Sequence, residues 1–125
     1  MEAIHNVIEK YFASWNKAFD SKNSDGIREH MSERFVGYWG RSGMDEPMQY
    51  GYDYDLDNVL GQYKDAHKSF EILSLTERKP GEEFLVIGRE TNVIQGIPHH
   101  AKAMFIWQKE NEKWKLQREF IELEK

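Results

Sequence analysis

The sequence predicts an α+β fold in which N-terminal helices pack on a strongly curved antiparallel sheet, forming a cone with a pocket. Two observations carry this expectation. Apolar residues recur at three- and four-residue spacing between residues 3 and 19, and after Lys68 the period changes to two. The first pattern is a helix with one heavy apolar face and the second a run of strands. A two-layer fold lets each bury the other.

The 125 residues suit a single domain, 1–125, with a real core. Seventeen basic against 22 acidic side chains leave a formal charge of -5, and 14% of residues are aromatic, so a folded acidic protein is expected. That charge disfavours nonspecific attraction to nucleic acid or an anionic membrane, and no basic run offsets it; neither is expected as a partner. The lack of cysteine excludes disulfides, thiol nucleophiles, cysteine-bound zinc and iron-sulfur clusters. MEAIHNVIEKYF lacks the basic start and apolar stretch of a secretion signal, and no run of about 18 apolar residues occurs, which makes cytoplasm the expected location.

Ala3, Ile4, Val7, Ile8, Tyr11, Phe12, Trp15, Ala18 and Phe19 define the first helix, which DSKNSDG ends. Ser24 can cap a short second helix running through Met31, with Asp25 in its first turn and Ile27 and Met31 toward the core. FVGYW at 35–39 suits a strand and GRSG a turn. MDEPMQYGYDYDLDN, residues 44 to 58, holds five carboxylates and three tyrosines and reads as irregular chain until about Asp55. Leu56, Val59, Leu60, Tyr63, Ala66 and Phe70 then have helical spacing, predicting a third helix over 56–68 that Asp53, Asp55 or Asp57 can cap.

FEILSLTER, EEFLVIGRETNVI, AKAMFIWQK and KWKLQREFIEL read as four strands joined by KPG, QGIPHH and ENEK. A four-residue turn at 110–113 sets Lys109 opposite Trp114, Trp107 opposite Leu116 and Phe105 opposite Arg118. That face is aromatic and holds one buried or half-buried guanidinium. The other parity of the last strand, Lys115, Gln117, Glu119 and Ile121, is more polar and reads as outside or as part of an oligomer interface.

This order of elements resembles the nuclear transport factor 2-like superfamily, the cystatin-like cone of ketosteroid isomerase, scytalone dehydratase and polyketide cyclase-like proteins. The resemblance rests on Tyr11-Phe12-xx-Trp15-xx-Ala18-Phe19, on Ser24-Asp25-Gly26-Ile27, and on the hairpin Phe105-Ile106-Trp107-Gln108-Lys109 with Lys113-Trp114-Lys115-Leu116, which span nearly the whole chain. It implies the cone and leaves the activity open, because the superfamily holds enzymes and noncatalytic proteins alike. Carried over residue by residue, the isomerase's enolate-stabilising tyrosine falls on Trp15, with Tyr11 one turn away. Its aspartate base falls on Trp39 and its second acid near Met104 or Phe105. Neither acid is retained, so steroid isomerisation is not expected, although the cavity is. The pocket histidine of many relatives falls along Arg118 and Phe120, so the resemblance implies a cation in its place.

Asp53, Asp55 and Asp57 alternate like the first ligands of a calcium loop, but its sixth position is Asn58 and its twelfth is Lys64; no metal site is expected. His99 and His100 follow Pro98 in a turn, where either could do chemistry at a pocket rim, although neighbours on a strand point to opposite faces. His5, His30 and His67 read as helix-surface residues. Either Glu90 or Arg89 must approach the interior, and Glu90 with Arg118 makes a candidate buried pair, holding the sheet or recognising a ligand. Tyr38, Tyr50, Tyr52 and Tyr54 can offer hydroxyls to a pocket or seal the core. No phosphate loop or GxSxG elbow occurs, so hydride and phosphoryl transfer have no support and no cofactor is expected.

The expected function is binding of a small apolar or aromatic ligand with a carbonyl or anionic group, in a cavity lined by Trp15, Tyr38, Trp39, Tyr52, Tyr54 and Trp107. A catalytic version would be a cofactor-independent isomerase, cyclase or dehydratase. There the candidate catalytic residues are Glu90 or His99, moving a proton, and Arg118, which anchors the ligand; Arg118 or a tyrosine stabilises developing negative charge. The alternative is a noncatalytic homodimer or partner-binding module using the outer sheet face. Tyr50, Tyr52 and Tyr54 are expected to fold over the mouth of the cone.

Overall fold

A computed structural model describes residues 3–43 and 45–124. The elements run α1 (Ile4–Ser21), α2 (Asp25–Arg28), β1 (Met31–Arg41), β2 (Met48–Gly51), α3 (Leu56–Gly61), β3 (Ala66–Lys79), β4 (Glu83–Ile94), β5 (Ile97–Glu110) and β6 (Lys113–Leu123). Helix α1 forms where its apolar spacing predicts, with Ile4, Val7, Ile8, Tyr11, Phe12, Trp15, Ala18 and Phe19 buried along one face. Lys22 ends it in the left-handed region at φ 60°, its amide donating to the Ala18 carbonyl.

Several boundaries differ from expectation. Strand β5 begins at Ile97, which pairs with Ile94 across a tight turn, so His99 and His100 lie in the strand and not in a turn. Helix α2 is one turn rather than a helix through Met31, because the Leu116 amide donates to the His30 carbonyl at 2.7 Å and Met31 pairs with Leu116, drawing the chain onto the sheet early. Strand β2 lies inside the stretch read as irregular. Helix α3 starts as expected, with Asp55 accepting from the Asn58 amide at 3.1 Å, but ends at Gly61. Ala66 and Phe70 belong to β3 instead. A separation of four satisfies a helix face and, being even, also one face of a strand.

The six strands form one sheet in the order β2-β1-β6-β5-β4-β3. Every neighbouring pair is antiparallel except β1 with β6, which is parallel and corrects the all-antiparallel expectation. No hairpin joins these two strands, so turn geometry does not set their relative direction. Register shifts in β1, β3 and at the β5–β6 ladder bend the sheet. Helix α1 packs on its inner face, where Tyr11, Phe12, Phe70, Phe105 and Trp107 interlock at ring-centroid separations of 5.2 to 6.5 Å. These contacts form the closed core that supports the open end.

The β5–β6 hairpin begins in the predicted register, Lys109 opposite Trp114 and Trp107 opposite Leu116. The next pairs are Ile106 with Arg118 and Phe105 with Glu119, not Phe105 with Arg118. Gln117 is the extra residue of a bulge, and its side-chain amide donates to Glu110 instead. One inserted residue exchanges the faces of everything after it. Arg118 is therefore exposed on the outer face, paired with Val36 and Ile106, while Glu119 and Ile121 turn inward.

Candidate functional site

A cavity of about 510 Å³ lies between α1, the β2–α3 segment and the inner face of the sheet, a size typical of small-molecule sites. Trp15, Trp39, Tyr50, Tyr54 and Tyr63 provide aromatic walls. Lys68, Glu90, Asn92, His99 and Glu119 bring polar groups to it.

Glu119 is positioned by three strands. Gly37 of β1 pairs with Tyr50 on one side and with Glu119 on the other, so the two side chains flank a residue without a Cβ. A Cβ at Gly37 would lie 2.5 Å from the Tyr50 ring. Across this bare position the Tyr50 hydroxyl donates to the Glu119 carboxylate, and the Tyr11 hydroxyl bonds to it as well. Burial pushes the Glu119 acid up to about 7; the Tyr50 bond opposes the rise, and the nearby Glu90 charge adds to it. Burial also raises Tyr11, Tyr50 and Tyr54, with the Glu119 charge second, so the phenols stay protonated.

Lys68 supplies the cation of the cavity. Its Nζ lies 3.1 Å from Glu90 Oε1 and 3.9 Å from the Trp15 ring centroid. Asn16, next to Trp15, holds the Lys68 backbone at both ends: the Lys68 amide donates to Asn16 Oδ1 at 2.7 Å, and Asn16 Nδ2 donates to the Lys68 carbonyl at 2.9 Å. The pairing Lys68–Asn92–His99 then places these three residues in one row across β3, β4 and β5.

Two cations pin the segment that covers the cavity. Arg28 donates to the Tyr52 carbonyl and, at 2.7 Å, to the Tyr54 carbonyl. Lys22 Nζ donates to Leu60 O at 3.0 Å and Tyr63 O at 2.7 Å, capping the end of α3. Tyr50 and Tyr54, 4.9 Å apart between ring centroids, thereby face the cavity.

Of the residues singled out in the sequence, Trp15, Trp39, Tyr54, Glu90 and His99 lie together around this cavity. Four do not. Tyr38 shares the outer face with Phe120, Tyr52 borders a separate surface groove beside Arg28, and Trp107 is sealed in the core at 1% exposure. Arg118 lies outside because of the bulge. Glu90 consequently pairs with Lys68 rather than Arg118, and Arg89, on the opposite face, pairs with Glu124 at 3.0 Å. An anion anchor at Arg118 loses its geometric basis with that correction.

Sequence reasoning missed Glu119, which it read as outside, and Lys68, which it read as the end of a helix. The available signal was parity: Ala66, Lys68 and Phe70 alternate, and Glu119, Ile121 and Leu123 do too. Two larger surface grooves run beside α2 and the β5–β6 turn, lined mainly by charged side chains. Among the described residues no three His, Asp or Glu side chains gather as a metal site, and no helix is long and apolar enough to cross a membrane.

No protein-family model and no curated protein matches the sequence. Solved structures do resemble the chain. An NTF2-like protein of unknown function from Shewanella oneidensis MR-1 is 13% identical, with a TM-score of 0.73 over 96% of this chain and 99% of that one. A cystatin-like fold protein of unknown function from Nostoc punctiforme is 13% identical, with a TM-score of 0.70 over 96% and 87%. A ketosteroid isomerase-like protein from Erwinia carotovora atroseptica is 16% identical, with a TM-score of 0.58 over 94% of each chain. The chain has the α+β cone fold that these NTF2-like and cystatin-like structures share.

Proposed function

We propose that the cone binds a small, largely apolar or aromatic molecule and that Glu119 can exchange a proton with it without a cofactor. The observation that carries this reading is a carboxylic acid raised to about 7, bonded to phenol hydroxyls inside an aromatic cavity. A group that gains and loses its proton near neutrality is suited to acid-base work, and Tyr54 can stabilise charge on a bound oxygen. Such chemistry belongs to the isomerase, cyclase and dehydratase class, with a carbonyl-bearing ligand. Glu90 and His99 are secondary proton carriers, and Lys68, paired with Glu90, is the cation that lines the cavity where Arg118 does not.

The test is to incubate purified protein with a metabolite extract in deuterated water, identify retained compounds by mass spectrometry, and compare Glu119→Gln. Retention in a one-to-one complex is expected, with deuterium uptake that is lost in the variant. Failure to retain any compound would sink the binding reading. Retention without uptake would remove the catalytic one.

A second reading concerns the outer face. Tyr38, Phe120, Met104 and Ile87 align across four strands, with Met104 36% and Ile87 42% exposed. We propose that a second copy of the chain covers this row. Sedimentation of a monomer at micromolar concentration would contradict the homodimer.

A further inference from the structure

Resting on the reading of the cone as a small-molecule site, we infer that its ligand carries a protonated amine held by Glu119 between the aromatic walls. The two inward carboxylates are not equivalent. Glu90 has a cation at contact distance, Lys68 at 3.1 Å. Glu119 makes no ion pair among the described residues and is held by neutral hydroxyls. A charge in an apolar cavity needs a partner of opposite sign, and the lysine that lines this one is already shared between Glu90 and the Trp15 ring.

Asn92 points to the same chemistry. It lines the cavity, and its Oδ1 is buried without a hydrogen-bond partner among the described residues. An amide oxygen only accepts, so it is completed by an N–H or O–H donor. Trp39 and Tyr54 wall the cavity, and each ring already has a guanidinium 5.8 Å from its centroid, Arg41 and Arg28 respectively. An ammonium group supplies both the positive charge and the donors. An anion would meet two carboxylates, with Arg118 on the other side of the sheet.

The proton balance is simple. An amine arriving neutral takes the Glu119 proton, its N–H bond forming as the carboxylic O–H breaks; one arriving as ammonium displaces that proton into water. Both routes end in the same ion pair. The groups facing Glu119 are Tyr11 from α1, Tyr50 from β2, Tyr54 before α3, Lys68 from β3 and Glu90 from β4. Lys68 and Glu90 offset each other's charge, so the uncompensated charge is that of Glu119.

Three probes with one ring system decide the matter: tryptamine, its neutral alcohol tryptophol, and indole-3-propionate, compared by equilibrium dialysis at pH 8. Tryptamine is expected to bind at least about tenfold more tightly than tryptophol, with the propionate weakest. Glu119→Gln should remove that preference, bringing tryptamine to the affinity of tryptophol for the same variant. Tryptophol or the propionate binding as well as tryptamine would overturn the inference while leaving the pocket reading in place. Absence of binding by all three would overturn both. The wild-type ranking decides the question even if the variant folds poorly.

Discussion

The hydroxyl of Tyr50 donates to the carboxylate of Glu119 across the bare backbone of Gly37, joining residues 69 apart in the chain. The glycine is the geometric condition for the contact, since a Cβ there would overlap the tyrosine ring. Through this contact an edge strand, a central strand and the last strand combine to make one polar group of the cavity.

Gly37→Ala should therefore displace Tyr50 and destabilise the fold by about 1–3 kcal/mol, the usual cost of forcing atoms into a filled space. Urea denaturation measures it. In a Tyr50→Leu background the penalty should fall, because the flexible leucine can yield. An equal penalty in both backgrounds would place the strain elsewhere.

The stability contribution of Glu119 runs opposite to that of an ordinary paired carboxylate. Its acid is held at about 7 when folded against 4.5 for the unperturbed group, so the folded chain binds more protons between those values. Stability is thus lost as pH rises from 4.5 through about 7, and the cost is constant above. Glu119→Gln is expected to exceed the wild type at pH 8 by up to about 3 kcal/mol and to match it near pH 4. Urea midpoints across this range check the sign; a wild-type advantage that grows with pH would refute it.

Lys68→Met leaves Glu90 facing the cavity without its cation and should cost about 3 kcal/mol. The double variant Lys68→Met, Glu90→Leu should recover most of that loss, because no unpaired charge remains. Thermal or urea unfolding of the four proteins gives the coupling directly. Additive losses would show that the two side chains do not act as a pair.

Arg118→Met should leave metabolite retention by the cone unchanged, since the guanidinium lies on the far side of the sheet between Val36 and Ile106. Its effect belongs to association, read by sedimentation. A loss of cavity binding in a monomer of normal stability would contradict this placement.

Local pattern carried much of the fold. The buried face of α1 and the alternation in β4 are properties of consecutive residues, legible from spacing alone, and the hairpin register is legible as far as Leu116. Trp15, Trp39, Tyr54 and Glu90 were legible as cavity residues because their side chains follow a helix or strand parity, or belong to the tyrosine-rich cover. His99, read as a turn residue at the rim, reaches the cavity from β5. Arg118 was misplaced because a bulge adds one residue without altering composition. Residue 68 was ambiguous because its even spacing from Ala66 and Phe70 overlaps a helical pattern.

The sequence by itself determined the class of fold, its aromatic core and the presence of acids and tyrosines to furnish a cavity. Tertiary structure decided which acid enters it. The inward turn of Glu119 depends on the bulge at Gln117, and its phenol partner on Gly37 lying between β2 and β6. These are relations between strands distant in the chain. A period reports which residues share a face within one strand, whereas pairing between strands fixes where a bulge falls and hence which way that face points.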